Sequence, residues 1–167
     1  MLRRLWQSWR LSRWTMTRYS KPVLSMLLWF FGGALYFVLE VAYKTATGHP
    51  ERISWTMLVV AIALTIPVER CGAALPWGCP PWLQAAACAA LVTAVELVAG
   101  LLLNVWLGLG VWDYSHLPLN FWGQICPQFT LAWLVLCFVF IPVFDWLRWA
   151  VEGGERPQYH IKAVIKK

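Results

Sequence analysis

Four apolar runs, each about as long as the ~20 residues that carry a helix across a bilayer, constrain this chain more than any other feature. They cover residues 22–43, 53–68 or slightly beyond, 82–107, and a fourth run from 121 or 124 to 144. At 1.5 Å of rise per residue such a run spans roughly 30 Å of hydrocarbon, and only helices satisfy their own backbone there without water. The expected fold is all-α: a polytopic membrane bundle of about four transmembrane helices. Pro22 suits a helix start, and Gly32 and Gly33 open the first span to close approach by a neighbour. Pro76, Gly78, Pro80 and Pro81 break the chain between the second and third spans, and Pro127 is expected to bend the first turn of the fourth.

Composition names the solvent. The chain has 167 residues, 60% hydrophobic and only 13% charged, which leaves no soluble catalytic domain beside the spans. Its 13 Trp and 5 Tyr flank the apolar runs, as rings do at a headgroup belt. The net charge of +6 does not point to nucleic acid, because the cations gather at the two ends next to apolar runs, where membrane lipid is the simpler partner. Residues 1–21 carry Arg3, Arg4, Arg10, Arg13, Arg18 and Lys21 without an acid, and read as a basic, amphipathic interfacial segment. Residues 22–149 read as the transmembrane domain and 150–167 as a basic tail with Arg156, Lys162, Lys166 and Lys167. The first loop holds only Lys44 and Arg52, so the excess of cations places both termini in the cytoplasm. Glu69 with Arg70, and Asp145 with Arg148, read as marking where the second and fourth spans leave the membrane.

Five cysteines without a CxxC imply neither a disulfide framework nor a structural zinc site, and those within spans read as small apolar packers. No metal and no cofactor is expected. The 167 residues hold no G-x-x-x-x-G-K-[ST] motif, so ATP-driven work would need a separate ATPase chain.

The chemistry concentrates in residues 96–126, ELVAGLLLNVWLGLGVWDYSHLPLNFWGQIC. Glu96 lies past the midplane, where a charged carboxylate costs about 2.5–3.5 kcal/mol on insertion scales, so it must face the bundle. Gly100 and Asn104 follow at i+4 and i+8 on nearly the same face. Glu40 sits on the corresponding side of the first span, and Asp113, His116 and Asn120 come from the loop that closes it. Trp112, Tyr114 and Ser115 complete the set, which converges either on an outward-facing polar pocket or on hydrogen bonds that only tie helices and turn together. A faint echo between the two hairpins would set Glu40 opposite Glu96.

The run from Glu96, with GGALYFVLE before it and FTLAW after it, resembles the small bacterial membrane proteins of the ABC-transporter type IV, or CmpB-like, family. The most specific part is WDYS-x-x-P-x-N-x-x-G-x-I, and the chain departs from the pattern at Pro127 and Gln128. The resemblance marks Glu96, Gly100, Asn104, Trp112, Asp113, Tyr114, Ser115, Pro118, Asn120 and Gly123. It implies a bacterial cell-membrane protein. Together with the buried acid, it points to a permease-like protein binding a small solute or ion with Glu96 as the central ligand or proton carrier, with a separate ATPase subunit and a second copy of the chain, in a homo-oligomer, as expected partners. The alternatives are an intramembrane enzyme acting on a lipid or isoprenoid, and a non-catalytic accessory or assembly subunit.

Overall fold

A computed structural model describes residues 21–48, 50, 53–75, 78–153 and 156–159. The basic segment before Lys21, and Lys162, Lys166 and Lys167, lie outside the described residues.

Among the described residues there are four helices long and apolar enough to cross a membrane, and no strand. The first, α1 (Pro22–Ala46), opens on a proline at its first turn, where the missing N–H costs nothing. The second, α2 (Trp55–Ala74), is capped by Ser54, whose hydroxyl accepts from the Thr56 amide at 3.3 Å. The third, α3 (Pro81–Gly100), runs straight into a π-helical turn, Leu101–Trp106, in which the Leu107 amide donates to the Leu102 carbonyl at 3.0 Å. The fourth, α4 (Pro127–Glu152), begins at Pro127, so that proline starts the helix instead of bending it.

The helices run up and down. Each packs on its neighbour in sequence, α2 also meets α4, and α1 touches α4. The Lys21 amide donates to the Glu152 carboxylate at 2.7 Å, which puts the start of α1 and the end of α4 at one end, called inner below. Leu28, Leu64, Cys88, Val92, Cys137 and Phe144 fill the centre, while Val23, Leu27, Val59, Val98, Val135 and Val139 point outward. An apolar exterior around polar buried groups is what a lipid solvent selects. Gly33 lets α1 lie directly on α2: a Cβ there would stand 2.7 Å from the Ile62 Cα.

The charged pairs expected to mark span ends do something else. Glu69 is 1% exposed, and its carboxylate accepts from Arg148 of α4 at 2.9 Å, with Ser25 and Trp29 of α1 at 3.4 Å. Arg148 also holds Asp145 at 2.7 Å, and α4 continues past both to Glu152. An ion pair closed inside the bundle satisfies charge without reaching the headgroups, so the helices extend beyond it. The five cysteines are free thiols.

Candidate functional site

At the outer end, opposite Lys21 and Glu152, α3 carries Glu96 into the bundle with 5% of its surface exposed. Its two oxygens accept from different elements: Trp133 Nε1 of α4 donates to Oε2 at 2.9 Å, and the Tyr114 hydroxyl donates to Oε1 at 3.2 Å. Both donors are held by ring contacts. Tyr36 of α1 stacks on Trp133 at 4.9 Å between centroids, and Phe129 of α4 stacks on Tyr114 at 4.4 Å. The Tyr36 hydroxyl donates to Glu40 at 3.4 Å, and Glu40 pairs with Lys44 at 2.9 Å on the next turn. A line of side chains therefore runs from Lys44 through Glu40, Tyr36, Trp133 and Glu96 to Tyr114, polar at each step except where Tyr36 stacks on Trp133, and links α1, α3, α4 and the outer loop. Burial pushes the Tyr114 phenol well above its ordinary range, with the nearby Glu96 charge adding to the effect, so the ring stays a neutral donor.

Gly100 and Asn104 meet a different partner. Gln124 fills the space beside Gly100, where a Cβ would lie 2.5 Å from its Oε1 and 3.1 Å from Trp112 Cζ2. Asn104 Nδ2 donates to Gln124 Oε1 at 2.8 Å and its Oδ1 accepts from the Val111 amide at 2.6 Å. Trp112 Nε1 donates to the Gln124 carbonyl at 3.0 Å. Asn104 lies within the π-helical turn and Gly100 immediately before it, and both face Gln124 of the loop.

The loop after it largely frames itself. Asp113 accepts from the Ser115 amide at 2.8 Å and the Ser115 hydroxyl at 2.9 Å, an Asx-type turn. Asn120 donates to the Ser115 and Leu117 carbonyls and accepts from the Gly123 amide at 2.9 Å. His116 is exposed, and among the described residues no group of three His, Cys, Asp or Glu side chains could hold a metal ion. Leu119 and Trp122 adopt positive φ, 58° and 52°, and stand 85% and 70% exposed, an orientation that sets apolar side chains toward the membrane interface.

Glu96 and Tyr114 are thus joined directly, Glu40 is joined to them through Tyr36 and Trp133, and Asp113, Ser115 and Asn120 are spent on the loop. Sequence reasoning missed Tyr36, Lys44, Gln124 and Trp133. Helical spacing offered a signal, because Tyr36, Glu40 and Lys44 recur every four residues on α1, and Phe129 and Trp133 do so on α4. Below this line of side chains a cavity of about 20 Å³, room for a water-sized occupant, is lined by Gly32, Tyr36, Thr65, Trp133, Cys137 and Phe144 among others.

Four apolar helices wrapped around buried ionisable groups define a multi-pass membrane protein. A family model described as "Putative ABC-transporter type IV" matches residues 27–152, and the chain belongs to that family. It is accordingly a transporter-related membrane protein. No curated protein and no solved structure matches it at the significance required.

Proposed function

We propose that this protein is a permease-like subunit of the bacterial cell membrane that binds a small solute or ion at the outer end of the bundle. Glu96 is the central ligand or proton carrier in this reading, Tyr114 and Trp133 position it, and Glu40 joins it through Tyr36 and Trp133. The observation that carries the reading is a carboxylate buried at membrane depth, held by donors from two elements and connected by side chains to Lys44 near the outer surface. Work driven by ATP would come from a separate ATPase docked at the inner end, which under this reading is cytoplasmic.

Purified from its own host in lipid nanodiscs, the full chain is expected to bring an ATPase subunit at stoichiometric yield. Glu96→Gln should then slow the solute-dependent ATP hydrolysis of that complex without dispersing it. An intact chain that arrives without an ATPase, or hydrolysis unaffected by Glu96→Gln, overturns the proposal. The self-bonded loop of Asp113, Ser115 and Asn120 favours one second reading, an accessory subunit whose outer cap is purely structural. Partner binding that survives Glu96→Gln, with no solute response, would support it.

A further inference from the structure

The small, partly open cavity between α1, α2 and α4 has a polar cluster beyond each of its two ends. On its outer side stand Tyr36 and Trp133, which carry Glu40 and Glu96. On its inner side, one residue beyond the lining groups Val68 and Phe144, come Glu69 and Asp145. Arg148 clamps these two acids, at 2.9 and 2.7 Å, and Arg70 reaches Glu69 at 3.3 Å. Ser25 and Trp29 bring α1 into the same network.

Two further facts make this closure releasable, and a third holds it shut. Each helix that bears it carries an internal proline just outside it, Pro67 in α2 and Pro142 in α4. Those prolines remove the N–H partners of the Ala63 and Phe138 carbonyls, so both helices have a weak point alongside the cavity, on the outer side of the ion pairs. The charges also have water close by: Glu69 is five residues from the end of α2 and Arg148 four from the end of α4, about 6–8 Å of helical rise. A modest swing therefore exchanges a buried pair for hydrated ions, two states that buried salt bridges leave close in free energy. Finally, residues 156–159 lie against the network. Arg156 lies 5.2 Å above the Trp146 ring, Pro157 is buried, and the Tyr159 hydroxyl donates to Asp145 at 2.7 Å.

We propose that the Glu69–Arg148–Asp145 network is an inner gate, hinged at Pro67 and Pro142 and strapped shut by residues 156–159. Opening it exposes the cavity to the inner face while the Glu96 assembly stays closed above. The proposal deepens the permease reading and rests on it for its purpose, since a pathway needs a closure at each end.

Cys137 lines the cavity and is 1% exposed, which makes it a native reporter. In full-length protein with Cys71, Cys79, Cys88 and Cys126 replaced by alanine, held in nanodiscs, the rate of Cys137 modification by N-ethylmaleimide measures opening. Arg148→Ala is expected to raise that rate at least about tenfold, and Tyr159→Phe, which loosens only the strap, about two- to fivefold. If Arg148→Ala does not fold, Tyr159→Phe decides. A rate within about twofold of the parent in the folded variants overturns the gate. Labelling needs neither solute nor ATPase, so that failure would leave the role of Glu96 standing, whereas an inert Glu96→Gln with fast labelling in Arg148→Ala would do the reverse.

Discussion

Replacing Gly33 by alanine tests the helix packing at its tightest point. A Cβ at that position would stand 2.5 Å from Ile62 Cγ1, 2.7 Å from Ile62 Cα and 2.8 Å from Ile62 N. The side-chain clash can be relieved by a rotamer change, but the backbone clash cannot. Restoring ordinary contact at 3.4 Å or more requires α1 and α2 to part by about 0.7 Å along their line of approach. Overpacking of this kind costs about 2–3 kcal/mol, and for a chain of this size that lowers the melting temperature by roughly 5–10 °C. Gly72→Ala is the internal control, because its Cβ would meet only the Ile141 side chain, at 3.1 Å, and should cost less than about 1 kcal/mol. Thermal unfolding in one detergent, followed by tryptophan fluorescence and by loss of the monodisperse peak, reads both variants. If Gly33→Ala melts with the parent, or Gly72→Ala falls further than Gly33→Ala, the close approach of α1 and α2 is not the contact described.

Three other outcomes follow from the outer end. Trp133→Phe strips one donor from the buried Glu96 carboxylate and should cost about 1.5–3 kcal/mol, while Trp133→Phe with Glu96→Leu should recover much of that loss; a double-mutant cycle in thermal stability without coupling would contradict the bond. Gly123→Ala forces a side chain onto φ +68° with its Cβ 2.8 Å from Asp113 Oδ1, so cleavage within residues 107–126 by protease added to vesicles should accelerate at an unchanged melting temperature of the helices. The Tyr114 phenol is held neutral in the fold, so its stabilising effect is complete below the free-tyrosine value of about 10 and is lost as pH rises beyond it. Tyr114→Phe should therefore remove one late-ionising phenol from an alkaline titration at 295 nm; losing one that titrates with free tyrosine instead would refute the burial.

Residue order alone determined the solvent and the number of crossings, because the apolar length that spans a bilayer is a local property of each run. It also determined that Glu96 faces inward and that Gly32 and Gly33 form a packing face, since a lone acid or a glycine pair in such a run has few other uses. Only the tertiary structure decided what each polar group touches. Glu69 and Arg148 stand 79 residues apart, and a charge near a span end reads the same whether it turns to the headgroups or into the bundle. The line from Lys44 to Tyr114 likewise depends on Tyr36 and Trp133, aromatic residues that in sequence are indistinguishable from membrane-belt rings until α1 stacks one on the other. The π-turn after Gly100 belongs to the same class: it leaves no mark in composition, yet Asn104, which lies in it, meets Gln124. Hydrophobic burial depends on how much apolar chain lies in a row, whereas hydrogen bonds and ion pairs depend on atoms meeting within about 3 Å, and the helices must be packed before those meetings exist.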